Sequence, residues 1–317
     1  MPRGSTLNLR AVRVAVVDIG TNSTRLLVAD VDGAALEELD RRSIVTRLGE
    51  GVDATGRLGD EPRRRVFTAL NEYSEAIEAH GCERRLAVMT SAVRDAANGA
   101  EFAAAVRERH GLDGRTLSGD VEARLTYLGA TAARDRGETP LLVVDIGGGS
   151  TELVAGAGGE MDFHVSTQAG VVRHTERHLH ADPPAEAEME ALARDVRAVY
   201  SEAVPEAVRE RVRGAVAVAG TATSCAAIDL GLEPYDPARA EGHVLTAGRL
   251  GEIRAELAAL PLAERREVPG LHPDRAPTIV AGTILLAEVL RAFGLETFEV
   301  SERDILWGVA LDSAPEY

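Results

Sequence analysis

An aspartate, an isoleucine and a glycine, followed by a run of small residues, occur twice in this sequence. The first copy is Val17-Asp18-Ile19-Gly20-Thr21-Asn22-Ser23-Thr24 and the second is Val144-Asp145-Ile146-Gly147-Gly148-Gly149-Ser150-Thr151. Each follows an apolar β-branched run and leads into another, a strand–turn–strand pattern. Glycine lets backbone N–H groups come close to an anion, and Thr21, Asn22, Ser23 and Ser150 add side-chain donors, so both turns suit phosphate. An aspartate at the end of each preceding strand can hold Mg²⁺, which prefers oxygen ligands together with substrate phosphates. One such turn alone is more often only a turn. Two copies with the same flanks point instead to related halves, with a ligand between Gly147-Gly148-Gly149 and its counterpart.

Other residues could join this chemistry. Glu122 follows Ser118-Gly119 at the start of a helix, where a carboxylate can deprotonate a water for attack on phosphorus. Acids are also favoured in a first helical turn for electrostatic reasons, and composition alone prefers that plainer role. Arg94, after Thr90-Ser91, can hold a phosphate bidentately. Gly220-Thr221 follows another apolar strand and can bind phosphate or a nucleoside through backbone donors, whereas Thr223 and Ser224 read as helix caps. His174, His178 and His180 invite a metal reading, but Arg173 and Arg177 alternate with them and a solvated helix face is favoured. Gly147-x-Gly149 fails as a dinucleotide fingerprint because Glu152 stands where the third glycine belongs.

Composition narrows the classes. None of the 317 residues is lysine, so all 35 basic residues are arginine. This excludes a Walker A loop, a Schiff-base lysine and a kinase-type strand lysine. A net charge of −16 argues against nucleic acid or an acidic membrane as partner. No apolar stretch approaches the roughly 20 residues of a membrane helix. Cys82 and Cys225 lie far apart without a CxxC pattern, which favours buried thiols in a reducing, cytoplasmic setting. Met1 to Arg13 reads as a loose leader.

The elements that must position these residues follow one pattern in each half: three strands, then helices and strands in alternation. Strands are expected near 12–17, 26–28, 36–48, 86–89, 116, 141–144, 153–155, 161–167, 215–218 and 298–300. Helices are expected near 61–80, 99–109, 118–134, 170–179, 185–203, 246–257, 276–293 and 302–311. The turn from Asp135 to Pro140 is the best boundary, dividing residues 1–134 from 135–301, with a closing helix in 302–317 packed back on the first half. The class is α/β with mixed sheets flanked by helices.

Assembled, these residues resemble the exopolyphosphatase/guanosine pentaphosphatase (Ppx/GppA) family of the actin-like ATPase superfamily. The likeness rests on Asp18 to Ser23, Thr90 to Ala96, Ser118-Gly-Asp-Val-Glu-Ala-Arg-Leu125, Asp145 to Glu152 and Ala219 to Thr221. It implies two ribonuclease H-like (actin-like ATPase) domains with the active site in the cleft between them. It also implies Glu122 as catalytic base, Arg94, Gly147 to Ser150, Gly220 and Thr221 as phosphate binders, and Asp145 and Glu152 as ligands of Mg²⁺ (or Mn²⁺), with Asp18 as a third candidate. The family releases the terminal phosphate of polyphosphate, or of pppGpp to give ppGpp. A small-molecule kinase of the same superfamily and a non-catalytic sensor of guanosine polyphosphates are the rivals, and assembly as a homodimer stays open. An Arg-rich, metal-holding cleft is expected. Val121 replaces an acid common in the family, and Trp307 stands at a normally charged site. The sequence stops at Tyr317, short of the helical domain of longer members, so short polyphosphates or nucleotides are expected over long polymer.

Overall fold

The computed structural model describes residues 11–134 and 137–313. Most of the expected leader, Asp135 and Arg136 of the expected boundary turn, and residues 314–317 of the closing segment lie outside the described residues.

β1 (Val12–Ile19), β2 (Ser23–Asp32), β3 (Ala35–Val45), β4 (Arg84–Met89) and β5 (Asp113–Thr116) form one sheet in the order β3-β2-β1-β4-β5. β6 (Leu141–Ile146), β7 (Thr151–Ala157), β8 (Glu160–Thr167), β9 (Gly214–Val218), β10 (Val244–Thr246) and β11 (Thr297–Val300) form a second, β10-β11-β9-β6-β7-β8. From the hairpin side the two orders coincide: three antiparallel strands, then parallel pairing of β1 with β4 and of β6 with β9. Only the edge strand β10 has no counterpart, and it was not expected.

Both faces of β1 are covered, which is why it reads as a continuous β-branched run rather than an alternating one. Ala15, Val17 and Ile19 meet Val66, Leu70, Tyr73 and Ile77 of the helix Asp60–His80. Val14 and Val16 meet Ile305, Leu306, Val309 and Ala310 of the closing helix Ile305–Asp312. Asp60 and Glu61 in the first turn and left-handed Gly81 at the end (φ 64°) delimit the longer helix.

The helix Gly119–Thr131 carries Glu122 and is held between the sheets. Its Ser118 caps it by accepting from the Val121 N–H. Leu125 joins the core of the first sheet, while Ala123, Tyr127 and Ala130 pack on Val143, Val154, Val216 and Val218 of the second. Its crossing with the closing helix is backbone-close. A methyl group on Gly129 would sit 2.0 Å from the Asp304 carbonyl oxygen, and one on Gly308 would sit 1.8 Å from that of Leu125.

The helix after β9 runs Ala219–Leu230 from Val218, with no side-chain cap. Thr223 and Ser224 therefore stand inside it rather than capping it. Ala219, at φ 62°, holds a strained left-handed conformation at the point where the chain enters the cleft.

Candidate active site

The two glycine turns face each other at the junction of the sheets. Each is closed by one bond, Gly20 N–H to Ser23 O and Gly147 N–H to Ser150 O, both 3.0 Å. A side chain at Gly148 would come within 2.8 Å of the Asn22 nitrogen and of Thr21, and one at Gly149 within 2.4 Å of the Ser91 hydroxyl. Glycine is required there by contact with the other half. The Thr21 hydroxyl accepts from the Ala92 N–H at 3.1 Å, so part of its capacity is structural. The helix Val171–His178 holds the second turn from behind: Val171 N–H donates to Gly147 O (3.0 Å), Val172 N–H to Gly148 O (2.8 Å) and Arg173 Nε to Gly149 O (3.0 Å).

These turns wall a narrow cavity of about 80 Å³. Asp18, Thr21, Asn22, Ser23, Glu122, Asp145, Gly147, Gly148, Gly149, Ser150, Gly220 and Thr221 all line it. Glu152 and Arg94 do not. Glu152, only 1% exposed, lies behind the wall with its carboxylate accepting from Ser166 Oγ at 2.7 Å. Arg94 Nη1 donates to Glu122 Oε2 at 2.8 Å and to Leu117 O at 3.0 Å. Its side-chain hydrogen bonds are thus with the expected base and a backbone carbonyl.

Burial dominates the electrostatics. Glu122, 6% exposed, is pushed up to about 7 by desolvation, against the opposing pull of Arg94 and with help from Asp145 and Asp18. Asp145 is likewise raised to about 7 by burial, and Glu152 well above the usual carboxylate range by burial and by the charges of Glu122 and Asp145. Asp18 is raised by burial despite Arg25. Several acids crowded into one dry space make a donor set for a hard cation. Asp18 Oδ1, buried without a hydrogen-bond partner, fits that need. Asp145 and Asp18 reach the cavity directly, and Glu152 faces Asp145 in the β6–β7 register.

Three participants escaped the sequence reading. Arg25 donates to Asp18 Oδ2 through Nε (3.0 Å) and Nη2 (2.6 Å) and pairs with Asp304. Burial opposes its charge, but Asp304, Asp18 and Asp145 together lift its pKa. Hairpin arithmetic could have found it, because Arg25 stands opposite Asp18. Asp304 caps the closing helix by accepting from the Leu306 N–H at 3.0 Å. Arg275 lies on a 3₁₀ turn over Gly220, with burial and Arg25 pushing its pKa down, and no local motif announces it.

In the small cavity the arginines are Arg25 and Arg275, beside Asp18, Glu122 and Asp145, and the adjoining cavity adds Arg41, Arg42 and Arg266. Other expectations need correction. The histidines do not form a solvated face, because His174 is fully buried. Val121 is 37% exposed and outside the cavity lining, so the lost acid changes little around Glu122. Trp307 keeps polar company, its Nε1 3.4 Å from Glu38 Oε2 and its ring under Arg303.

Known proteins resemble this chain over nearly its whole length. The profile of the Ppx/GppA phosphatase family matches residues 27–317. The chain belongs to that family. Exopolyphosphatase 2 of Mycobacterium tuberculosis is 38% identical, with 95% of this chain and 98% of that protein covered. A crystal structure of an exopolyphosphatase-like protein superposes with a TM-score of 0.90 at 35% identity, over 96% of this chain and 98% of the other. The family member from Aquifex aeolicus superposes at 0.79 with 32% identity, over 95% and 97%. The Ppx/GppA fold of two mixed sheets flanked by helices is thus the fold of this chain. No helix among the described residues is long and apolar enough to cross a membrane.

Proposed function

We propose that this chain is a phosphohydrolase that releases the terminal phosphate of inorganic polyphosphate, with Glu122 activating the attacking water. The observation that carries this is the position of Glu122: a buried carboxylate, held by Arg94 and pushed up to about 7, on the floor of a cavity walled by two glycine turns. A base with a proton affinity near neutral suits general-base catalysis at neutral pH. Water oxygen bonds to the terminal phosphorus, the bridging P–O bond breaks, and the water proton passes to Glu122. Arg94 fixes Oε2 and leaves Oε1 for that water. The Gly148 and Gly149 backbone, Ser150, Gly220 and Thr221 hold the phosphoryl group in line, with Arg275 beside Gly220. Asp145, with Asp18 and Glu152 as further ligands directly or through water, would hold Mg²⁺, which would supply positive charge to the phosphoryl oxygens. The names of the exopolyphosphatase relatives support the substrate.

A second reading, hydrolysis of pppGpp, draws on a neighbouring cavity of about 770 Å³ that shares Arg25, Ala219, Gly220 and Arg275 with the first. Its lining includes Tyr235, Leu232 and Arg266, a mixture suited to a nucleoside beside the phosphates. Two buried, unpaired cysteines accord with a cytoplasmic setting. Phosphate release from polyphosphates of defined length, pppGpp and ATP, with and without Mg²⁺, tests both readings. Glu122→Gln should bind substrate yet lose about 10²–10⁴ in kcat. Wild-type turnover by that variant removes the base assignment, and no turnover of any of these by the parent chain leaves the sensor reading standing.

A further inference from the structure

Away from the cleft, His174, His178 and Asp195 bring three ligand atoms within 4.8 Å of one another. The two histidines are one turn apart on the helix Val171–His178, and Asp195 comes from the helix Glu186–Ala203. We propose that these residues form a binding site for a divalent transition-metal ion such as Zn²⁺, distinct from the phosphate cleft.

The argument begins with His174. It is fully buried, and its Nδ1–H donates to the Gly170 carbonyl at 3.1 Å, since a carbonyl can only accept. That bond fixes the tautomer with Nε2 as a bare lone pair. Nε2 has no hydrogen-bond partner, yet it lies 3.5 Å from Asp195 Oδ2. A lone pair this near a carboxylate oxygen is repelled by it unless a proton or a metal cation stands between them. An ion pair between His178 and Asp195 at 3.0 Å would account for those two residues and leave His174 unexplained.

The spacing also suits a metal. With bonds of about 2.0–2.1 Å, tetrahedral zinc separates its ligand atoms by about 3.3 Å. The two edges to Asp195, 3.0 and 3.5 Å, bracket that value. The third edge, between the two histidines, lies within 4.8 Å. Two imidazoles and one carboxylate favour zinc or a similar borderline ion over Mg²⁺. Asp195 is half-exposed, which leaves the fourth position open to water. His180, the third histidine of the sequence cluster, is exposed and takes no part.

The site would clamp two helices, one of which holds the carbonyls of Gly147 and Gly148. Equilibrium dialysis of the full chain against Zn²⁺ in millimolar Mg²⁺ tests it. One zinc per chain is expected, with affinity about a hundredfold weaker in His178→Ala and in Asp195→Ala. Asp195→Asn keeps the side-chain shape and should weaken zinc in the same direction, which keeps the test readable if the alanine variant unfolds. Co²⁺ should give the visible bands of a four-coordinate ion in the parent chain and lose them in each folded variant. Zinc binding equal to the parent in the folded variants, or no zinc retained by the parent, overturns the site.

Discussion

The two hairpins share a backbone and differ in charge at one register position. Across β1 and β2, Asp18 stands opposite Arg25; across β6 and β7, Asp145 stands opposite Glu152. The first pair joins opposite charges, and Arg25 is shared between Asp18 and Asp304, one cation against two buried carboxylates. The second pair is two buried acids whose repulsion only protons or a cation can relieve. One fold unit, used twice, thus carries a partly compensated aspartate on one side, with only Oδ1 of Asp18 left unpartnered, and two opposed acids on the other.

Breaking the arginine-bearing side should cost most. Arg25→Gln leaves Asp18 buried without its cation and Asp304 with Arg41 alone, and a loss of about 3–5 kcal/mol in unfolding free energy is expected by denaturant titration. A loss under about 1 kcal/mol would mean that the first hairpin does not depend on its internal charge pair.

The acid side should show itself in pH. Glu122 and Asp145 are raised from 4.5 and 3.8 to about 7, so the folded chain binds more protons than the unfolded one between those values. Stability of the metal-free protein should therefore be greatest at the acid end of this window. It should fall as pH rises through about 7, by several kcal/mol in total. Millimolar Mg²⁺ should flatten the slope by stabilising the ionised acids. A stability that climbs with pH across the window would contradict the crowded-acid account.

The smallest effect sharpens the contrast. Glu152→Gln removes one of the opposed acids and should stabilise the metal-free chain at alkaline pH by about 1 kcal/mol, or about 2 °C in melting midpoint. The same change should weaken Mg²⁺-dependent phosphate release. One substitution that stabilises and inactivates together would be hard to reconcile with Glu152 as a passive core residue.

How much of this was legible beforehand follows from range. The repeated Asp-Ile-Gly turns, the β-branched runs around them and the long helix ended by Gly81 are local signals, and they led to the α/β class and most of the lining residues. Arg25 was within reach, since only hairpin register was needed. Asp304 was not, because its partner lies 279 residues away and pairs with it only after the closing helix crosses the first sheet. Arg275 enters from a short 3₁₀ turn with no periodicity to announce it. His174 was misjudged because helical spacing says which residues share a face but not what covers that face. Arg94 was placed in the right neighbourhood, but its guanidinium turns to a carboxylate that only the tertiary fold brings near.

The closing helix bears on how the chain is made. One face of the first sheet, with Val14, Val16, Leu27 and Ala29, is roofed by Ile305, Leu306, Val309 and Ala310. Synthesis runs from the N-terminus, so that face stays open to water while nearly three hundred further residues are added. The first sheet is begun early and roofed only after the second sheet has been made. Until then that face is exposed apolar surface, and the helix that carries Glu122 lacks the neighbour it crosses at Gly129 and Gly308.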